Sequence, residues 1–348
     1  MRSLSRLALL ASLAFVATPA LAQEKETEKR LFWHVTSDKG EVYLLGSIHV
    51  GTEDMYPLPK EIESAYDKAS ALVVEADIEA GDKMALQQMV LEKGMCGEGD
   101  SLSKHLSKDN LKKVKEYCKK NEIEFGMLKG MKPWLVALQM EGVAIHKLEL
   151  NPELGVDKHF LVAAHGKKQK KIVEIESIDA QISLLADLSA ELQEAFLMST
   201  VSEQEKGKKQ FEALIEAWKT GDADKVDSIS RDGEKEHPEF KPIADKMIYD
   251  RNVTMTKKVE ELLAQGGVSF VTVGAAHMVG EKGIVKSLEK TKKYKVEQPA
   301  LTKPEKTEKT EKTEKKADGG DKTKMVKCES CGEMRPAGDG TCPHCGLK

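Results

Sequence analysis

The sequence predicts an α/β domain: a central sheet carrying a large helical insert, followed by a small separate module at the carboxyl end. Short apolar, β-branched runs alternate with longer stretches of helical periodicity, the pattern of strands joined by helices. Two of those runs, Glu41-Val-Tyr-Leu-Leu-Gly-Ser-Ile-His49 and Val268-Ser-Phe-Val-Thr-Val-Gly-Ala-Ala-His277, end in the same Gly-x-x-His tetrapeptide. The 348 residues, 40% hydrophobic and 32% charged, suffice for one substantial core with something extra.

Met1-Arg-Ser-Leu-Ser-Arg6 is basic, Leu7 to Ala17 is apolar, and Ala20-Leu-Ala22 is a small-residue exit. This order predicts a signal peptide over 1–22, cut before Gln23, and a periplasmic or secreted mature protein. No later stretch approaches the roughly 20 apolar residues of a membrane helix. The net charge of −4, with both signs well mixed, argues against a general nucleic-acid binder.

The main domain is expected over 23–300. Leu31 to Thr36 and Glu41 to Leu45 flank the turn Ser37-Asp-Lys-Gly40 and predict a hairpin. Helices are predicted over Pro59 to Lys68, Asp82 to Lys93, Lys108 to Lys120, Pro133 to Lys147, Val156 to Ala164, Ile178 to Trp218, Pro242 to Ala264 and Gly280 to Lys290. Strands are predicted over Ala71 to Ala76 and Lys171 to Glu176. Beyond residue 300 the composition changes abruptly. Residues 301–325, rich in Thr, Glu and Lys, lack the apolar surface to offset chain entropy and predict an extended tether. In 326–348, Cys328, Cys331, Cys342 and Cys345 stand as two Cys-x-x-Cys-Gly knuckles with ten residues between them. That spacing predicts a zinc ribbon with one structural Zn and a possible protein partner, the alternative being two disulfides in an oxidising compartment.

The chemistry-bearing residues sit at strand ends. Ligands of open α/β sheets collect at the carboxyl edge, so His49 and His277 on neighbouring strands could share one metal or one substrate. Glu75 and Glu176 close two further strand-like runs, and a carboxylate there is costly unless paired or bound to a cation. Two imidazoles with one or two carboxylates suit a divalent metal, whether Zn, Mn or Co, with room for a water whose pKa the ion lowers.

Val42 to Val50, Pro57-Leu-Pro59, Leu72-Val-Val-Glu-Ala-Asp77, Leu154-Gly-Val-Asp157, Ile175-Glu176 with Gln181, Arg251-Asn252 and Phe270 to Gly280 resemble, in order and spacing, the TraB/GumN family. That family is similar to the Tiki metalloproteases and, more distantly, to erythromycin-esterase-like proteins. The resemblance spans roughly Leu31 to Val296 and implies an α/β fold that brings the motifs together, with metal-dependent peptide hydrolysis by analogy with Tiki. It implies His49, His277 and Glu75 at the metal, and Arg251 and Asn252 at the pocket rim, steadying a substrate carbonyl or oxyanion. Ser47 stands where many relatives carry Thr. The expected function is an exported metal-dependent hydrolase acting on a peptide or small molecule. Alternatives are a non-catalytic binding protein using the same cleft and a metal-free esterase-like hydrolase with a histidine base.

Trp134 and Trp218 fall on apolar helix faces and are expected in the core. His34 and His105 have no partnering motif and read as surface or packing histidines. His159 and His165 are out of helical phase for a shared ligand. Cys96 and Cys118 could pair as a disulfide, or Cys118 could be a small core residue beside Leu111 and Val114.

Overall fold

The computed structural model describes residues 27–166, 169–304, 325–327 and 334–336. The predicted signal peptide, most of the predicted tether and the four tail cysteines lie outside the described residues. The chain forms two units, Met1–Glu305 and Lys306–Lys348. In the second, Met325–Lys327 and Met334–Pro336 pair antiparallel.

The first unit is a mixed α/β structure around a six-stranded sheet. Its strands are β1 (Phe32–Thr36), β2 (Gly40–Ser47), β3 (Ala71–Val74), β4 (Lys171–Glu174), β5 (Gly267–Gly274) and β6 (Lys295–Glu297), in the spatial order β4-β3-β5-β2-β1-β6. Neighbouring strands from β4 to β2 run parallel, while β1 lies antiparallel to both β2 and β6. The hairpin turn at Ser37 forms as expected, with Ser37 N–H on Gly40 O at 2.9 Å. Phe270 to Val273 in β5 are buried without alternation, as a strand covered on both faces requires. The main core gathers Leu44, Leu45, Leu72, Val73, Phe270 and Val271 with Trp218. Trp218 is fully buried and its indole N–H donates to Gly46 O at 2.6 Å, tying a helix to the strand that leads to His49.

Helical segments build two further apolar clusters, one around Val114, Tyr117, Cys118 and Val136 and one around Trp134, Leu135 and Leu185. Cys118 is thus a core residue, and Cys96 and Cys118 are both free thiols. The single helix expected over Ile178 to Trp218 is two, Ile178–Ala186 and Ala190–Thr220. Ser189 caps the second through Leu192 N, and Gly207, at φ 47° and ψ −130°, interrupts the helix's regular conformation. The segment expected over Pro242 to Ala264 begins as Lys241–Ala244, widens into a π turn over Asp245–Tyr249, and continues as the helix Asp250–Gln265, here called α1. The last predicted helix starts later, at Ile284, after a turn in which Gly280 takes φ 77° and Gly283 N–H donates to Gly280 O at 3.0 Å; His277 lies in a short separate helix, Ala275–Met278. Helices Ala223–Ser230 and Asp232–Glu236 and the edge strand β6 were not predicted. Leu301 is buried, and Leu301–Thr302 pairs with Thr27–Glu28, so the first unit runs slightly past the expected edge at residue 300. No helix among the described residues is long and apolar enough to cross a membrane.

Candidate functional site

Four adjacent parallel strands each deliver one ionisable side chain to the same carboxyl edge. In spatial order, β4 leads to Glu176, β3 to Glu75, β5 to His277 and β2 to His49. The ladders set the register: Ser47 lies beside Gly274 and Val74 beside Thr272. Past the strand ends, Glu176 N–H still donates to Glu75 O at 2.8 Å. Gly274 N–H donates to Glu75 Oε1 at 2.6 Å, so the second Gly-x-x-His glycine supplies a donor to the carboxylate of the neighbouring strand.

Gly274 also supplies space. A Cβ built there would lie 3.2 Å from Glu75 Oε1, 3.5 Å from His277 Cδ2 and 3.7 Å from His49 Nε2. The three side chains expected as ligands therefore converge above a glycine, where any larger residue would fill the gap between them.

Each imidazole is oriented through Nδ1. His49 Nδ1 meets Asp157 Oδ2 at 3.0 Å, and His277 Nδ1 meets Asn252 Oδ1 at 2.6 Å. Asn252 Nδ2 donates to Lys282 O at 2.9 Å, which leaves its oxygen as the acceptor for His277 Nδ1–H. His277 Nε2 then carries the lone pair. Burial pushes His277 down to about 4 despite the opposing charge of Glu75, so the ring is neutral at pH 7. Its Nε2 lies 3.7 Å from Glu75 Oε1, with no hydrogen between two acceptors. At His49 the crowding of protein atoms acts to lower the pKa. The Asp157 hydrogen bond and the charges of Asp157 and Glu75 outweigh it and push the ring up to about 9. The side chain keeps 64% of its surface accessible, open to the cavity.

Arg251 and Asn252 occupy positions other than the expected rim. Both lie on α1 just after the π turn, and both are held by residues of the site: Arg251 Nη2 donates to Glu75 Oε2 and Glu176 Oε2, each at 2.7 Å. Its Nε donates to Glu176 Oε1 at 2.9 Å and its Nη1 to Met247 O at 2.8 Å. With four of its five N–H donors engaged by two carboxylates and a carbonyl, Arg251 holds Glu75 and Glu176 in place. Asn252, 2% exposed, sets the His277 tautomer. Burial opposes ionisation of Glu75. Nearby His277, His49 and Arg251, with the Gly274 N–H, outweigh it and hold the carboxyl below the ordinary range. Since His277 is neutral, the persistent cations are His49 and Arg251.

Beside these groups lies a cavity of about 270 Å³ with a mixed lining, Ser47, His49, Glu75, Asp157, Gln181 and Thr272 on its polar part and Val74, Ile78 and Val273 on its apolar part. Three polar atoms of lining residues, Ser47 Oγ, Asp157 Oδ1 and Thr272 Oγ1, are themselves closed off from solvent and have no hydrogen-bond partner in the protein. Buried polar atoms are normally paired, and a small shift of these side chains toward the cavity would let an occupant pair with them. Two contributors stood among the residues that carry the family resemblance without being given a role at the site: Asp157, which orients His49, and Gln181, whose Nε2 donates to Glu75 and Glu176 at 3.2 and 3.1 Å. Asp157 opens a helix, where an acidic residue is common for reasons unrelated to a site.

Two ring-oriented imidazoles and a carboxylate match the donor chemistry of a borderline divalent metal, second-sphere partners included. The ligand atoms of His49, Glu75 and His277 do not all lie within 4.8 Å of one another. Among the described residues the group that meets that spacing is Cys96, Asp100 and His105.

A mostly parallel sheet whose adjacent strands bring two histidines and two carboxylates to one carboxyl edge, with His49 and Glu75 on a cavity, defines an α/β protein with a sheet-edge site. The chain belongs to the TraB/PrgY/gumN family, whose model matches residues 31–298. It is 24% identical over 246 residues to the uncharacterized protein YbaP of Escherichia coli (strain K12) and to that of Shigella flexneri, covering 71% of this chain and 87% of each relative. An uncharacterized protein of Treponema pallidum (strain Nichols) is 23% identical over 292 residues, covering 80% of this chain and 85% of that one. No solved structure matches the chain.

Proposed function

We propose that this chain is an exported metal-dependent hydrolase whose substrates are peptides. The observation that carries this reading is the approach of His277 Nε2 to Glu75 Oε1 at 3.7 Å while Asn252 Oδ1 engages the ring's other nitrogen at 2.6 Å. Two facing acceptors in a buried site repel unless a cation lies between them. His49, His277 and Glu75 would hold the metal, which when bound supplies Lewis acidity and lowers the pKa of a water toward neutrality. Asn252 keeps the proton on His277 Nδ1 and so keeps Nε2 free. Asp157 does the same for His49, whose ring must release a proton before it can act as a ligand. Arg251 holds Glu75 ionised and in place. The Ser47 and Thr272 hydroxyls and the Asp157 Oδ1, unpartnered and closed off from solvent, would meet a bound peptide backbone once their side chains shift toward the cavity. Export rests on the basic, apolar and small-residue order of the first 22 residues.

Elemental analysis of the purified mature protein tests this reading, together with cleavage of a mixed fluorogenic peptide library. His49→Ala and His277→Ala should each lose about one equivalent of metal and all hydrolysis while keeping the thermal transition. Full metal content in both variants would sink the metal reading. A metal-loaded protein that cleaves esters but no peptide would sink the peptide assignment.

A further inference from the structure

Cys96, Asp100 and His105 lie in the helical insert and take no part in the sheet-edge site. A thiol sulfur, a carboxylate oxygen and an imidazole nitrogen from these three residues all lie within 4.8 Å of one another. The segment that brings them together is fastened at several points. Cys96 N–H donates to Gly130 O at 2.7 Å, and Met95 and Met131 form an antiparallel bridge beside it. Leu102, fully buried, donates its N–H to Lys129 O at 2.9 Å. Between these anchors the chain turns tightly: Asp100 N–H reaches Gly97 O at 3.0 Å, and Gly99 takes φ +74°, a conformation that favours glycine. Lys104 Nζ adds a 2.7 Å bond to Gly99 O.

The carboxylate oxygens are divided between two tasks. Asp100 Oδ1 accepts from Ser101 N–H at 2.7 Å, which fixes the group, while Oδ2 faces His105 Nε2 at 2.7 Å. His105 and Asp100 are about a quarter to a third exposed, and Cys96 is half-buried, so an ion from solvent can reach all three.

We propose that Cys96, Asp100 and His105 form a second metal site, for a zinc-like divalent ion. Sulfur and imidazole donors disfavour calcium and magnesium, which take oxygen ligands, and suit a borderline ion instead. A thiolate and a carboxylate balance the two positive charges, and three protein ligands leave a fourth tetrahedral position for water or an incoming ligand. The fastened turn restricts the donors before the ion arrives, reducing the ordering cost of binding. The competing arrangement is a simple His105–Asp100 ion pair with Cys96 as a bystander.

Site-resolved alkylation separates the two without interference from the tail cysteines or the sheet edge. The full-length protein is treated with iodoacetamide with and without zinc, and the Cys96 peptide is followed by mass spectrometry. Micromolar zinc should slow alkylation of Cys96 at least tenfold, and a chelator should restore the rate. The protection should vanish in His105→Ala and in Asp100→Ala, and it should persist in the His49→Ala/His277→Ala double variant. Equal alkylation rates with and without zinc in the unaltered protein would overturn the proposal, even if the variants fail to fold. Retained protection in both single variants would overturn it as well.

Discussion

Replacing Arg251 with Met in chelator-treated protein should cost about 3–5 kcal/mol of stability at pH 7.5, the range for leaving a buried charge without its partner. Arg251 is the cation shared by Glu75 and Glu176, which are 12% and 16% exposed, and it joins them through two 2.7 Å bonds from one nitrogen. Without it, two carboxylates remain close enough to share the amide of Gln181, and the protonated His49 is the main cation left nearby. At roughly 2–4 °C per kcal/mol for a domain near this size, the midpoint should fall by on the order of 10 °C. The effect should depend on pH, with a definite sign. In the unaltered protein the Glu75 pKa is lowered, so its contribution is present above the unfolded value near 4.5 and is lost only as pH falls through the folded one. In the Arg251→Met variant, repulsion and burial raise a carboxyl above that value, so the penalty should be largest at pH 7.5 and shrink as pH falls toward 5. Urea denaturation at both pH values measures this. A loss below about 1 kcal/mol, or the same loss at both pH values, would refute the view that Arg251 exists to hold two ionised carboxylates.

Trp218→Phe should destabilise by about 1–3 kcal/mol, because it strands the Gly46 carbonyl that now accepts the indole N–H; thermal unfolding measures the loss. In Gly155→Ala, the added Cβ would sit 2.6 Å from His49 O, so the loop bearing that ring must shift; metal content or peptide cleavage should drop more than stability does, and unchanged values in both would count against a tightly positioned His49. Cys118, buried among Val114, Tyr117 and Val136, should resist alkylation in the folded protein and react on unfolding, whereas Cys96 should react in both states when zinc is absent. Peptide mapping that recovers a Cys96–Cys118 disulfide from the native compartment would overturn the free-thiol assignment.

What could be read in the sequence was what local rules encode. The hairpin at Ser37, the buried strand β5 and most helices follow from turn chemistry and periodicity, which act over a few residues. His49, Glu75, Glu176 and His277 were legible as candidates because each follows an apolar run, and a polar group at the end of a buried strand asks for a partner. Their neighbourhood was not legible. Strand order places Glu176, Glu75, His277 and His49 side by side although they are up to 228 residues apart in the chain, from 49 to 277, and adjacency across a sheet is a long-range property. The roles of Arg251 and Asn252 were misplaced for the same reason. A helix residue announces its face but not the distant carboxylate or imidazole that face will meet, and only packing α1 against the sheet turned an expected rim pair into the groups that hold Glu75 and His277. Asp157 stood in a stretch that carries the family resemblance, yet its pairing with His49 was not legible, and the Cys96, Asp100 and His105 group went unrecognised, because a helix-start carboxylate and a loop histidine are common on surfaces. Tertiary contacts decide between solvent and partner for such groups, since the free energy of a polar side chain depends on what surrounds it more than on what it is.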